Sequence, residues 1–270
     1  MRRLIAVCAV VACAGLAAAG PASAAPTWAP AASAPVHPGV QTITNGGQCT
    51  SNFVFYDAAN NVYIGQAAHC AGTDGNTATN GCDAGTLPTG TPVEVDGASQ
   101  PGTMVYSSWA TMQANGESDA DTCQYNDLAL VQLNPADYAK VNPSIPFWGG
   151  PTGVTDTVAQ GDKVLSYGNS SLRLGITQLS PKQGVSLGQD SGGWNHTVYT
   201  VTPGIPGDSG SAFIDAQGRA FGVLSTLQVA PVAGGNGVGD VSREIAYMKA
   251  HGGPDVTLAT GTEPFRGPLL

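Results

Sequence analysis

From Val40 onward the chain is cut into short pieces. Runs rich in Val, Ile, Leu, Thr and aromatic residues alternate with Gly, Asn, Asp and Pro, and the full sequence holds 37 Gly and 19 Pro. Such punctuation leaves little room for helices and favours short strands joined by turns. Candidate strands lie at 40–43, 53–56, 62–66, 91–95, 103–112 and 128–133. Residues 134–162, rich in Pro and Gly, read as a crossing between halves. A second set follows at 163–167, 174–179, 194–202, 212–214, 220–226 and 237–238. Six strands and six strands predict an all-β fold of two six-stranded antiparallel β-barrels. One C-terminal helix is expected: Asp240 can cap it, Val241, Ile245 and Met248 share a face, and Gly252, Gly253 and Pro254 stop it. Residues 254–270 show no pattern and are expected to be a loosely held tail.

The first 24 residues read as a removable export signal. Arg2 and Arg3 precede an apolar run from Leu4 to Leu16, and Ala22-Ser23-Ala24 supplies small residues at a cleavage point. The run is shorter than the ~20 residues a bilayer requires, so a secreted, extracellular protein with no stable membrane association is expected. Residues 25–39 form a Pro/Ala-rich leader, and 40–253 form the folded domain. Losing two arginines takes the net charge from −9 to −11. An acidic chain sparse in Lys and Arg is a poor partner for nucleic acid or anionic membranes. Four cysteines remain after export: Cys49, Cys70, Cys82 and Cys123. They allow three pairings, of which local closure favours Cys49–Cys70 and Cys82–Cys123.

The chemistry centres on Pro206-Gly207-Asp208-Ser209-Gly210-Ser211. A serine hydroxyl is a weak nucleophile until a base takes its proton and donors steady the oxyanion it creates. Glycines on both sides of Ser209 permit a tight bend, which can turn the amides of Gly207 and Ser209 toward one point. His69, in Ala67-Ala68-His69-Cys70, stands where a strand ends and is the best base among four histidines. His37 is in the leader, His251 ends the helix and His196 sits inside a strand. Asp127 opens the apolar strand Leu128–Leu133; a carboxylate buried there needs a partner, and a histidine ring would serve.

These three motifs, in the order His, Asp, Ser, resemble the chymotrypsin-fold (trypsin-like) serine peptidases, particularly their secreted bacterial branch. The resemblance runs from about Val40 to the helix. It implies a serine endopeptidase with the active site between two barrels, working through an acyl-enzyme. Ser209 would be the nucleophile, His69 the base and acid, and Asp127 the orienter. The amides of Gly207 and Ser209 would form the oxyanion hole, and Ser225 would lie behind Asp127. It further implies a protein or peptide substrate, no cofactor, no metal, and a monomer.

Departures from the family pattern are informative. No Lys or Arg occurs between Leu4 and Tyr138, so activation by cleavage after a basic residue ahead of the domain is excluded. Secreted bacterial relatives pair the aspartate before the serine with an internal arginine; Arg173 is the candidate partner for Asp208. The floor of the specificity pocket is expected near Pro203, with Leu224, Thr226 and Leu227 on the adjacent strand. No acid waits there for Lys or Arg, and no His or Arg for an acidic side chain. An apolar residue before the scissile bond is expected. The acidic loop Glu117, Asp119 and Asp121 fits no known cation loop and reads as solvated. The alternative is a trypsin-like module that binds without catalysis; such modules usually lack a triad residue or the oxyanion glycine, and here all four positions are intact. An esterase is less well matched, because its elbow would end in glycine and place His last.

Overall fold

The computed structural model of the protein describes residues 25–75, 78–228 and 233–269. The expected export signal, residues 1–24, lies outside them.

The first half contributes β1 (Gln41–Thr44), β2 (Gly47–Thr50), β3 (Val54–Asp57), β4 (Val62–Ala67), β5 (Pro92–Val95), β6 (Gly102–Ser107) and β7 (Leu128–Gln132), hydrogen-bonded in the order β3-β4-β7-β6-β5-β1-β2. The second half holds β8 (Gly153–Val154), β9 (Lys163–Tyr167), β10 (Pro181–Asp190), β11 (Asn195–Thr200), β12 (Ala212–Asp215), β13 (Arg219–Leu227) and β14 (Asn236–Asp240). Its order is β12-β9-β10-β11-β14-β13, and β12 also pairs with β13, which closes a six-stranded barrel. Strand β8 adds to β13 in parallel. The second half is thus the six-stranded barrel expected, while the first is a seven-stranded antiparallel sheet, one strand more than expected because Gly47–Thr50 pairs with β1; together they make the two-barrel fold.

Each barrel has its own apolar core, and a third core joins them. Val54, Ile64, Val93, Met104 and Val131 fill the first barrel. Val164, Val198, Phe213, Phe221 and Val238 fill the second. Between them Phe53, Phe55, Leu130, Trp148, Ile214, Val223 and Met248 pack together. Each such side chain contributes about 1.5–3 kcal/mol on burial, so the interface is as apolar as either interior and the barrels are held as one body.

Several expected elements differ. The run 103–112 is not one strand: β6 ends at Ser107, whose Oγ accepts the amide of Ala110 and starts α1 (Ser108–Asn115). Gly116, at φ +65°, ends that helix. Asp119 caps α2 (Ala120–Tyr125) through the Thr122 amide, and Glu117 accepts the amides of Ser118 and Asp119. Two of the three loop acids thus bond local backbone. The strand expected at 174–179 is absent, because Leu174 is left-handed (φ +52°) and 88% exposed. Strand β10 takes its place. The C-terminal helix is α3 (Val241–Ala250), capped by Asp240 as predicted.

The leader and the tail are both fastened. Val36 is fully buried and bridges to Val141, while Trp28 packs edge-on against Tyr56. Within the supposed loose tail, β15 (Val256–Leu258) pairs antiparallel with β3. Val256 and Ala259 are buried, so three residues of alternating pattern suffice where a strand edge waits.

Candidate active site

Strand pairing brings His69 and Asp127 together. Ala67 at the end of β4 is opposite Leu128 at the start of β7, so His69 and Asp127 emerge side by side. The backbone amide of His69 donates to Asp127 Oδ1 (2.8 Å), and His69 Nδ1 lies 2.7 Å from Oδ2. Ser225 Oγ donates to the same Oδ2 at 2.6 Å. Asp127 is 2% exposed, and these bonds aim its side chain along the ring. Burial of the imidazole opposes its charging, but the charge and hydrogen bond of Asp127 outweigh this and hold its pKa above that of ordinary histidine. The Cys49–Cys70 disulfide ties the residue after His69 to β2, and Cys82–Cys123 closes the second bridge.

A further carboxyl stands behind Asp127. Glu244 of α3 is fully buried, and its Oε1 accepts the amide of Asp127 at 2.9 Å. Burial pushes its pKa far above the usual range, and Asp127 and Asp240 push the same way. Sequence reading missed Glu244 because its helix offered an apolar face through Val241, Ile245 and Met248, and Glu244 lies on that same face. His196 is also fully buried, with Nε2 2.8 Å from Asp240, and is structural.

The serine loop is pinned from both barrels. Ser209 is half-buried; its carbonyl accepts from Thr50, and the amide of Gly210 donates to Leu224. Gly210 has φ +87°, and a Cβ there would lie 2.6 Å from Thr50 O and 2.7 Å from Ala67 N. Only glycine fits. The amides of Gly207 and Ser209 donate to no acceptor among the described residues, as an oxyanion site requires. Asp208 is fully buried and meets two cations: Arg173 Nη2 at 2.7 Å and Lys182 Nζ at 3.0 Å. It also accepts the amides of Ser170 and Ile205. Lys182 is fully buried; burial lowers its pKa, and Asp208 counteracts this. The lysine sits in β10, the strand that the sequence pattern did not show.

His69, Asp127, Gly207, Ser209 and Leu224 to Leu227 line one cleft of about 620 Å³. Pro203 does not line it: its carbonyl is taken by Arg173 (2.8 Å), and Gly204 and Ile205 face the cleft instead. Asn236 completes that wall. Its Oδ1 accepts from Gly204, and its Nδ2 donates to the carbonyls of Gly204 and Thr226. With these bonds made, the amide is committed to the protein. Leu224 crowds Gly204, where a Cβ would lie 2.7 Å from its Cδ2.

The trypsin-like peptidase domain family matches residues 51–223. The chain belongs to that family and is a serine endopeptidase of chymotrypsin fold. Its architecture is similar to that of Thermobifida fusca Protease A, at 16% identity and TM-score 0.52, over 84% of this chain and 99% of that one. It is also similar to a Nocardiopsis protease, NAPase, at 17% identity and TM-score 0.51, over 83% and 98%. A search of curated protein sequences finds no match.

Proposed function

We propose that the protein is exported, loses residues 1–24, and as a monomer cleaves peptide bonds that follow an apolar residue, through an acyl-enzyme. The observation that carries this reading is the relay Ser225–Asp127–His69 opening onto the same cleft as Ser209, where two amides have no partner among the described residues.

Ser209 Oγ attacks the scissile carbonyl carbon as its proton passes to His69 Nε2. The carbonyl oxygen becomes an oxyanion and accepts the amides of Gly207 and Ser209. The tetrahedral adduct collapses, the C–N bond breaks, and the histidine gives its proton to the departing amine. Water then attacks the ester carbon as its proton passes to the same ring; the second adduct collapses, the C–Oγ bond breaks, and the ring returns the proton to Ser209 Oγ. Asp127 stabilises the imidazolium formed twice in the cycle. Gly204, Ile205 and Leu224 offer an apolar wall, and the committed amide of Asn236 offers a charged side chain no partner, which is costly for a desolvated charge.

The test uses purified protein and a mixed peptide library, with and without a serine-directed phosphonate. Cleavage after apolar residues, blocked by the phosphonate and absent in Ser209→Ala, is expected. Equal labelling of wild type and Ser209→Ala would remove Ser209 from the reaction. A wild type that neither labels nor cleaves would return the chain to the class of binding modules.

A further inference from the structure

We infer that Ser170 is a positioning residue that fixes the direction of the Gly207 amide, and so sets the strength of the oxyanion hole; the inference rests on the peptidase reading above. The Gly207 amide belongs to the peptide unit joining Pro206 and Gly207, and that unit is trans. In a trans peptide the N–H and C=O point in opposite directions. Whatever grips the carbonyl from behind therefore aims the amide forward. Ser170 Oγ donates to Pro206 O at 2.6 Å, and Ser170 is 4% exposed.

The grip matters because Gly207 is at φ +92°, a region glycine enters at little cost. A unit beside such a residue can rotate cheaply, and rotation would replace a donor with a carbonyl dipole facing the oxyanion. The other oxyanion amide is secured in the same way: Ser211 Oγ donates to Asp208 O, behind the Ser209 amide. Ser170 makes two further bonds: its Oγ also accepts the amide of Leu172 at 3.2 Å, capping the short turn that follows. Its own amide donates to Asp208 Oδ1 (3.0 Å), the carboxylate that Arg173 and Lys182 hold. A single residue thus joins the buried ion cluster to the oxyanion peptide.

The experiment compares wild type, Ser170→Ala and Ser170→Thr, which keeps the hydroxyl. Measured are the rate of acylation by a peptidyl phosphonate, kcat and KM on an apolar peptide, affinity for a peptide aldehyde, and the urea midpoint. Losing one oxyanion donor outright lowers kcat by about 10²–10³-fold; a donor left free to rotate is expected to lower it roughly tenfold or more within that bound. Ser170→Ala should lose acylation rate and aldehyde affinity by matching factors at unchanged KM, and Ser170→Thr should recover most of both. Should Ser170→Ala fold poorly, Ser170→Cys, which fills the space with a weak donor, carries the comparison. Wild-type acylation in Ser170→Ala, a loss confined to KM, or a threonine variant as slow as alanine each overturns the inference. A wild type inert to the phosphonate overturns the peptidase reading instead.

Discussion

Glu244 accepts the backbone amide of Asp127 at 2.9 Å, which makes the C-terminal helix a direct support of the site in the opposite half of the chain. Its carboxyl is fully buried and titrates far above the usual range.

Glu244→Gln keeps an acceptor for that amide and should leave activity near wild type. Glu244→Ala strands the amide, a loss of about 1–3 kcal/mol. Because the folded pKa is raised, the stability this carboxyl contributes is complete below its unfolded pKa. It is lost as pH rises through the folded value. Urea unfolding across pH should show that decline in wild type and lack it in Glu244→Gln; parallel curves would refute the assignment.

Activity should fall on acidification at a pH above that of an ordinary histidine. The base works only when neutral, and Asp127 holds the imidazolium more firmly than water would. Asp127→Asn should shift the acid limb of kcat/KM downward and lower its plateau. An acid limb unmoved by that change would show that the pair is not coupled.

Asp208 and Lys182 should respond in opposite ways to substitution. Asp208→Asn leaves the fully buried Lys182 and the partly buried Arg173 without their anion, a loss of about 3–5 kcal/mol. Lys182→Met removes a buried charge while Arg173 still serves Asp208, so its urea midpoint should match or exceed wild type. Burial depresses the pKa of Lys182; the protonated lysine therefore costs stability, and that cost disappears as pH rises through the folded pKa. A large loss in Lys182→Met would mean that both cations are required.

Gly210→Ala places a Cβ against Thr50 O and Ala67 N, both backbone atoms unable to step aside, at a positive φ. A loss of roughly 1–3 kcal/mol is expected from overpacking, with backbone strain of similar size, and acylation should slow with it. Differential scanning calorimetry beside phosphonate labelling reads both; an unchanged midpoint would show the loop to be more pliant than it looks.

Much of the site can be read directly from the sequence, since its residues fall in short motifs: Ala-Ala-His-Cys, Asn-Asp before an apolar strand, and the glycine-flanked Ser209. Local closure also matched the disulfides at Cys49–Cys70 and Cys82–Cys123. What escaped depends on distant partners. Strand β10, Pro-Lys-Gln-Gly-Val-Ser-Leu-Gly-Gln-Asp, has no alternating apolar face, because neighbouring strands on both edges supply its pairing. Its fully buried Lys182 would be read as a surface residue until Asp208 is placed beside it. Helix α1 carried its own signals, Ser107 before it and Gly116 after it, but its Trp109 and Met112 blended into the preceding strand. Pro203 missed the cleft because counting back from the serine does not say which way a carbonyl turns.

Strand β15 pairs with β3, joining residues about two hundred positions apart. On a chain made amino end first, the outer edge of β3 has no partner among the described residues until positions 256–258 have been added. The barrel whose strands come first in the sequence is thus the last to be finished, since its outer edge waits on residues near the carboxyl end.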